Sequence, residues 1–344
     1  MNISFYCDKA QNALHNAFWD AKDRIYRHHL PHNVGEPFCY WWHAHVVDTL
    51  LDAYLRTDDK KYLERIRAEL DGTFRKNGNT YLNNWYDDME WMALAQLRLY
   101  DTIGDDQILQ NVLHLWEDIK TAWNDSQGGG LAWKKDQLDY KNTPANAPAA
   151  ILAYRLYQRL HNPEDLAWGN RIFDWNYENL MNPEHSVVYD GINRLGDGSI
   201  DYEWDFTYCQ GVMVGAAMER YQITQDEQYL ELALRIAEAS KARLCDAFGG
   251  VIPYEGKDDC GLFKGIMIRY FAQLVKLTPK AEPIRAMILQ NARTICEKGM
   301  RNDGVIGAHL DKQPEGVVDL AQHLSGTMIL EMAAISDQNN SQIE

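Results

Sequence analysis

The sequence predicts an all-α protein, an (α/α)6 toroid in which six inner helices form a closed ring wrapped by six outer helices. Two kinds of apolar pattern alternate along the 344 residues: segments with one apolar face, and segments that are apolar on nearly every side. Short turns and long loops alternate between these segments in the same rhythm. A helix that is apolar on every side is normally buried on every side, so the second kind of segment is predicted to form the inner ring.

The outer helices are predicted from the amphipathic segments. In residues 105–119, Leu109, Val112 and Trp116 recur at helical spacing, while polar residues occupy the opposite side. The series opens with residues 3–23. The other outer segments are residues 59–74, 105–119, 163–180, 226–243 and 281–299.

The inner helices are predicted from the segments that are apolar all round: residues 40–56, 89–100, 145–160, 208–221, 262–277 and 317–335. Short turns rich in Asp and Pro follow the inner segments, as tight helix starts require. Long loops follow the outer segments and therefore meet the N-termini of the inner helices at one end of the ring. Loops of this length in compact domains are usually functional. We expect one catalytic domain over residues 1–336 and a disordered polar tail over residues 337–344.

Composition restricts the class of partner. The chain is 46% apolar and 24% charged, as in globular proteins, and carries a net charge of −16. This charge disfavours nucleic acids and anionic membranes, which attract clustered Lys and Arg. The sequence shows no signal peptide, and no run of about 18 apolar residues long enough to span a bilayer. Six scattered cysteines without a C-x-x-C pattern indicate a reducing compartment, so a cytoplasmic location is predicted.

The six inner-helix starts are expected to converge on one cavity, and their side chains indicate its ligand. They are rich in aromatic rings, amides and carboxylates and poor in cations, which suits a sugar better than a phosphate. His43 and His45 are two positions apart and point to different sides of a helix, so neither a metal site nor a cofactor is predicted. The starts are Tyr40-Trp41-Trp42, Trp85-Tyr86-Asp87-Asp88, Asn142-Thr143-Pro144-Ala145-Asn146, Thr207-Tyr208-Cys209-Gln210, Phe263-Lys264-Gly265 and Asp319-Leu320-Ala321-Gln322-His323.

The adjacent aspartates Asp87 and Asp88 are the candidate catalytic residues. Neighbouring Cα atoms lie about 3.8 Å apart, so two side chains turned the same way can hold their carboxyl groups at the roughly 5–5.5 Å spacing of a retaining glycosidase. An inverting enzyme requires about 6.5–9.5 Å, which favours retention here. Paired acids also cap helix N-termini, which is the structural alternative. The apolar neighbours Trp85, Tyr86 and Trp91 favour a catalytic pair over a solvated cap.

Five ordered motifs resemble glycoside hydrolase family 76, the endo-α-1,6-mannanases. They are Trp85-Tyr86-Asp87-Asp88-Met89, the Gly128-Gly129-Gly130-Leu-Ala-Trp133 loop, Lys141-Asn142-Thr-Pro144-Ala-Asn146-Ala-Pro148-Ala, Thr207-Tyr208-Cys209-Gln210-Gly211 and Phe263-Lys264-Gly265-Ile266. The resemblance implies an (α/α)6 toroid and cleavage of α-1,6-mannosidic linkages in mannan or manno-oligosaccharides with retention of configuration. It also implies that Asp87 is the nucleophile and Asp88 the general acid/base. Cys209 stands where Asn is common in the family, which puts a sugar contact in doubt but not the acid pair.

The two aspartates need opposite protonation states for these roles. A helix N-terminus lowers the pKa of both carboxyls, which suits a nucleophile. Repulsion from ionised Asp87 and desolvation by the surrounding rings are expected to raise the pKa of Asp88. We therefore expect one charged and one protonated member near neutral pH, titrating as a coupled pair.

Eight further residues are predicted to contact the sugar, because they are rings, amides or a carboxylate at the open end of the ring: Trp42, Tyr86, Trp133, Asn142, Asn146, Asp190, Tyr208 and Gln210. An N-acylglucosamine 2-epimerase-like enzyme remains an alternative, with His45 and His323 as paired bases. An unsaturated uronyl hydrolase-like enzyme, with Lys264 and Arg269 as its cations, is a second. A non-catalytic carbohydrate-binding protein is a third. Endo versus exo action and oligomeric state stay open.

Overall fold

The computed structural model describes residues 2–32 and 38–338. Twelve α-helices lie within these ranges: α1 (Ile3–Ala13), α2 (Tyr40–Thr57), α3 (Lys61–Lys76), α4 (Tyr86–Ile103), α5 (Asp106–Lys120), α6 (Thr143–Leu160), α7 (Pro163–Leu180), α8 (Thr207–Thr224), α9 (Glu227–Leu244), α10 (Cys260–Leu277), α11 (Glu282–Thr294) and α12 (Leu320–Gln338). Residues 337 and 338, assigned to the tail from sequence, belong to α12. The rest of that predicted tail, residues 339–344, lies outside the described residues.

Nine short strands lie in the loops of the described ranges: β1 (Trp19–Asp20), β2 (Ile25–Tyr26), β3 (His29–Leu30), β4 (Ala132–Lys134), β5 (Gln137–Asn142), β6 (Met181–Asn182), β7 (Val187–Val188), β8 (Gly191–Ile192) and β9 (Val318–Asp319). All pair antiparallel: β1 with β2, β3 with β9, β6 with β7, and β4 with β5, which also pairs with β8. The longest of these strands, β5, has six residues, so the strands are minor elements of the all-α fold that the scarcity of strand patterns predicted.

Most predicted helix boundaries lie within three residues of the observed ones, but two outer segments were predicted too long. The segment predicted over residues 3–23 ends as α1 at Ala13, followed by a π-helical turn over Leu14–Phe18. The chain then turns at Asp20, whose Oδ1 accepts the backbone N–H of Lys22 at 2.9 Å. The segment predicted over residues 281–299 likewise ends as α11 at Thr294 and closes with a π-helical turn.

The chain divides into two compact units, residues 1–80 with 241–344, and residues 81–240. In the first unit, α12 packs against both α10 and α2, with α3 packed on α2 and α11 on α12. In the second unit, α6 packs against both α4 and α8, with α5 packed on α4 and α7 on α6. Each unit thus contains three of the predicted inner helices with outer helices against them. The single domain over residues 1–336 stays a prediction.

Burial separates inner from outer helices as the apolar patterns predicted. On α6 every residue from Thr143 to Tyr154 is buried, whereas α5 buries one stripe that includes Leu109, Val112 and Trp116. The inner helix α4 ends at Ile103 and is capped by Gly104, whose φ of 68° lies in the left-handed region that glycine adopts without strain. No helix in the described ranges is long and apolar enough to cross a membrane.

Candidate active site

The start of α4 is fixed to the β4–β5 hairpin of the second unit. Trp85, the N-cap residue of α4, forms an antiparallel bridge with Lys134, and the backbone N–H of Lys135 donates to the carbonyl of Asn84 at 2.9 Å. Asp87 and Asp88 follow in the first helical turn. Backbone N–H groups in the first turn of a helix lack partners within the helix and therefore favour a negative charge nearby. Because the hairpin fixes the start of α4, the two acids lie at the positive end of an immobile helix dipole.

The Asp87 carboxylate accepts hydrogen bonds on both oxygens. Its Oδ1 accepts the backbone N–H of Asp88 at 3.0 Å, and its Oδ2 accepts the indole N–H of Trp133 at 3.0 Å. Trp133 lies on β4, with its ring edge-to-face against Tyr140 at a centroid distance of 5.7 Å. Hydrogen bonds of this kind favour the charged form of a carboxyl group and fix its orientation.

Asp88 is set in a different environment from its neighbour. Asp88 is buried, with 9% of its surface exposed, whereas Asp87 is half-buried. Its Oδ2 accepts the side-chain amide of Asn83 at 3.3 Å, and the Asn83 Oδ1 accepts the backbone N–H of Trp85 at 3.2 Å. Asn83 therefore holds Asp88 against the start of α4. The two aspartates are inequivalent, as two carboxyl groups with different roles require.

A third carboxyl group, that of Glu90, lies one turn further along α4. Its side chain is fully buried, and within the described residues neither carboxyl oxygen has a hydrogen-bond partner of ordinary geometry. Burial raises the pKa of Glu90 well above its usual value, and the nearby charge of Asp87 raises it further. The backbone N–H of Ala149 on α6 offsets part of this effect. Its raised pKa favours the neutral, protonated form of Glu90, in the same first turns of α4 as Asp87 and Asp88.

Asp190 forms the centre of a second polar cluster in this unit. Its carboxylate accepts the hydroxyl of Tyr140 at 2.8 Å and the hydroxyl of Tyr208 at 2.5 Å, with the Cys209 thiol 3.7 Å away. Burial raises the pKa of Asp190, while the hydrogen bonds from both tyrosines lower it. Because Tyr140 also contacts Trp133, this cluster is linked through two aromatic rings to the Asp87 carboxylate.

The three predicted amide contacts have structural roles. Asn142 caps α6 by accepting the backbone N–H of Ala145 at 3.2 Å. Asn146 is fully buried and hydrogen-bonds both the N–H and the C=O of Leu131, at 2.8 and 3.0 Å. Gln210 bonds the N–H and C=O of Val188 at 2.9 and 2.7 Å. These bonds hold the loops against the helices, and a sugar contact by these amides stays a prediction.

Two aromatic side chains that were predicted to contact the sugar are buried and hydrogen-bond to other side chains of the protein. Tyr86 is 4% exposed, and its hydroxyl lies 3.3 Å from the Thr121 hydroxyl. Trp42 lies in the first unit, is 3% exposed, and donates its indole N–H to Asp259 at 2.9 Å. Of the eight predicted sugar contacts, the structure brings Trp133 directly to the acid pair, and connects Tyr208 and Asp190 to it through Tyr140.

Three side chains on which the epimerase and uronyl hydrolase alternatives depend form hydrogen bonds within the first unit: His323, Lys264 and Arg269. His323 is fully buried, its Nδ1 accepts the backbone N–H of Ile306, and its Nε2 lies 3.1 Å from the Ala10 carbonyl. It therefore has no ring nitrogen left for a sugar carbon, which removes one of the two bases of an epimerase. Lys264 donates to the Ala308 carbonyl at 2.8 Å, and buried Arg269 binds Asp52 with two hydrogen bonds. Neither cation is placed to bind a uronate.

Metal ligation is not evident in the part of the chain that the structure describes, where no group of three or more His, Cys, Asp or Glu side chains has a metal-binding arrangement.

Sequence reasoning missed four residues of these sites: Asn83, Glu90, Tyr140 and Asp259. Asn83 and Glu90 flank the acid pair within seven residues of each other, so their proximity to it was a usable signal. Asp259 ends an Asp-Asp pair directly before an inner helix, as Asp88 lies in such a pair at the start of α4. Tyr140 carries no sequence signal, because only the strand register places it beside Trp133.

A family profile and two groups of relatives match this chain. The profile described as glycosyl hydrolase family 76 matches residues 6–342. Among solved structures, the GH76A α-1,6-mannanase of Salegentibacter sp. HEL1_6 is 37% identical, with a TM-score of 0.93 over 97% of this chain and 100% of that one. The Lin0763 protein of Listeria innocua is 38% identical, with a TM-score of 0.94 over 98% of this chain and 99% of that one.

Curated relatives are more distant and longer. Mannan endo-1,6-α-mannosidase DCW1 of Candida albicans is 25% identical over 185 residues, covering 49% of this chain and 41% of that protein. The protein of the same name from Saccharomyces cerevisiae is 23% identical over 270 residues, covering 72% of this chain and 60% of that protein. The chain thus spans less than two thirds of the length of these relatives. The similarity to solved family 76 structures, which are (α/α)6 toroids, confirms the predicted fold class.

Proposed function

Because the chain belongs to glycoside hydrolase family 76, we propose that it is a retaining glycosidase that cleaves α-1,6-mannosidic linkages in mannan or manno-oligosaccharides. The observation that carries this proposal is the inequivalent pair of acids at the start of α4. Asp87 is half-buried and receives the Trp133 indole N–H, whereas Asp88 is buried and receives the Asn83 amide. The family and the site therefore support the same chemistry.

The solved relatives support the identity of the pair. The Salegentibacter enzyme was solved as an inactive variant, with two consecutive aspartates replaced by asparagine, in complex with α-1,6-mannotriose. The present chain contains four consecutive aspartate pairs, at residues 58–59, 87–88, 105–106 and 258–259. Only the pair at residues 87–88 has a buried member. We assign that pair as the equivalent catalytic acids.

In the proposed mechanism Asp87 attacks the anomeric carbon and forms a covalent mannosyl-enzyme intermediate. Two hydrogen bonds orient its carboxylate and favour its charged form, as a nucleophile requires. Asp88 donates its proton to the leaving glycosidic oxygen, so that the bond breaks without releasing an alkoxide. It then removes a proton from water, which attacks the same carbon, breaks the bond to Asp87 and releases the mannosyl product with its original anomeric configuration.

The residues around the pair are proposed to act in two ways. Trp133 holds Asp87 and presents its half-buried ring at the site, so it is the aromatic residue we assign to a bound sugar. Asp190 positions Tyr140 and Tyr208, and through Tyr140 it supports Trp133. The cytoplasmic location stays a prediction from sequence. The same holds for substrate contacts by five residues: Trp42, Tyr86, Asn142, Asn146 and Gln210.

A reducing-sugar assay on linear α-1,6-mannan and α-1,6-manno-oligosaccharides tests the proposal. We expect activity in the unaltered protein and its loss in Asp87→Asn, with Asp106→Asn as the control because Asp106 belongs to an exposed aspartate pair. Tight mannan binding with no new reducing ends would instead support the non-catalytic binding protein.

The role of Asp88 is tested separately with Asp88→Ala. Added azide should restore turnover of an aryl mannoside that has an activated leaving group, because such a substrate needs no proton from the enzyme. Proton NMR should show an azide product with retained configuration. Unchanged turnover of α-1,6-mannan in Asp88→Ala would contradict the acid/base assignment.

A further inference from the structure

Asp259, directly before α10 in the first unit, has one carboxylate oxygen held by several donors. Its Oδ1 accepts the indole N–H of Trp41 and that of Trp42, each at 2.9 Å. The Cys39 thiol lies 3.6 Å from the same oxygen. Three side chains from the start of α2 therefore converge on a single atom of this aspartate.

The two indoles fix the direction of the carboxylate. Trp41 and Trp42 are 9% and 3% exposed, so their rings are packed in the protein and cannot follow a moving partner. Asp259 itself is exposed. With Oδ1 bound on the protein side, Oδ2 is left as an oriented acceptor at the surface. A preoriented acceptor binds a donor at a smaller entropic cost than a freely rotating side chain.

The surroundings define the chemistry of a ligand. Glu255, Lys257 and Asp258 lie in the same loop, so the segment is acidic overall and disfavours phosphate or uronate groups. The Tyr254 ring is 39% exposed and lies against His309 at a centroid distance of 5.1 Å. Burial raises the pKa of Tyr254, and the charges of Asp319, Cys260 and Asp258 raise it further, as expected for a hydroxyl close to the start of α10. A carboxylate acceptor beside an exposed ring suits a neutral, hydroxyl-rich ligand.

We propose that Asp259 accepts a hydrogen bond from a sugar hydroxyl, with Trp41 and Trp42 as positioning residues. The first unit thereby carries a carbohydrate subsite built on a carboxylate. This inference rests on the proposed function, because it takes the ligand to be a mannose unit of an α-1,6-linked chain. It also revises the role predicted for Trp42, which orients the acceptor and does not itself stack on the sugar.

Titration calorimetry tests the inference in a protein that binds without turnover. The parent is the Asp87→Asn, Asp88→Asn double variant of the full chain, and the probe is α-1,6-mannotetraose. Adding Asp259→Asn should weaken binding about tenfold, since a hydrogen bond to a charged acceptor is lost. Asp258→Asn is the matched control: it removes the neighbouring exposed acid, and its φ of 53° is one that Asn accepts readily.

A Trp42→Phe variant separates direct binding from a structural role. It keeps the aromatic ring and removes one indole donor, while Trp41 still holds Asp259. A loss smaller than that of Asp259→Asn supports direct binding by the carboxylate. A loss equal to that of Asp259→Asn would overturn the inference, because Asp259 would then act only by placing Trp42.

The remaining outcomes separate this inference from the proposed function. If the parent binds mannotetraose and Asp259→Asn binds it equally well, the subsite is refuted while the proposed function stands. If the parent binds no α-1,6-manno-oligosaccharide, the proposed substrate is wrong and the subsite is refuted with it. Circular dichroism of each variant confirms that the fold is retained.

Discussion

Replacing the buried Glu90 by Gln should remove a loss of stability that sets in as the pH rises above about 4.5. The folded protein keeps Glu90 protonated, because burial and the charge of Asp87 raise its pKa. In the unfolded chain a glutamate loses its proton above about pH 4.5. Above that pH the unfolded state therefore binds fewer protons than the folded state at this site, and stability falls as pH rises toward the folded-state pKa.

The size of this effect follows from proton linkage. Each pH unit in that window costs the unaltered protein about 1.4 kcal/mol at this site. Gln has the same shape and does not ionise, so Glu90→Gln has no such slope. Between about pH 5 and about pH 6 the variant should gain about 1.4 kcal/mol relative to the unaltered protein. For a chain of this length that gain corresponds to about 2 °C in melting temperature.

Urea unfolding of both proteins at the two pH values measures this difference directly. All other titrating groups are common to the two proteins, so their contributions cancel in the comparison. The control is Glu231→Gln on the exposed side of α9, which reports the general effect of removing one negative charge from an acidic protein. A difference between Glu90→Gln and the unaltered protein that stays constant with pH would refute a neutral Glu90.

Three further substitutions have expected outcomes. Trp133→Phe removes the indole N–H that donates to Asp87. The kcat/KM on α-1,6-mannan should therefore fall about tenfold to hundredfold. Unchanged kinetics would show that this hydrogen bond does not orient the nucleophile. Asn146→Ala leaves two buried backbone groups of the Gly-rich loop unpaired and should lower the unfolding free energy by about 3 kcal/mol; a loss below about 1 kcal/mol in urea would contradict this bracing role. Arg269→Met removes both hydrogen bonds that Arg269 makes to the buried Asp52 carboxylate. The unfolding free energy in urea should fall by about 3–5 kcal/mol. An unchanged unfolding free energy would show that the ion pair is not needed for stability.

The helices could be predicted from sequence because apolar periodicity reports burial. The all-round apolar pattern of residues 145–160 corresponds to the buried α6, and the stripe in residues 105–119 corresponds to α5. The exceptions are segment ends. The helix α1 ends at Ala13 and the π-helical turn after it ends at Phe18, and Asp20 then closes a turn through a local hydrogen bond that periodicity does not register. Periodicity thus predicts where a helix is buried and not where a side chain stops it.

The candidate site was predictable in its acids and not in its amides. Asn142, Asn146 and Gln210 were predicted to contact sugar because amides suit hydroxyl groups. In the structure their side chains form hydrogen bonds to backbone groups and hold backbone segments in place. An amide suits a backbone peptide group equally well, since both offer one donor and one acceptor. The choice depends on what the fold places opposite the side chain. Sequence gives the residue type and leaves that geometry undetermined.

The four Asp-Asp pairs show how one dipeptide acquires different roles in one chain. Asp105 caps α5 by accepting the backbone N–H of Gln107 at 3.0 Å, a bond that needs only the helix itself. Asp87 lies inside its helix, and its second oxygen is held by an indole from a different element, the strand β4. Asp259 likewise has an oxygen held by indoles from another helix. A carboxylate bound by distant aromatic donors is oriented by the tertiary fold, and this property separates the proposed functional aspartates from the caps.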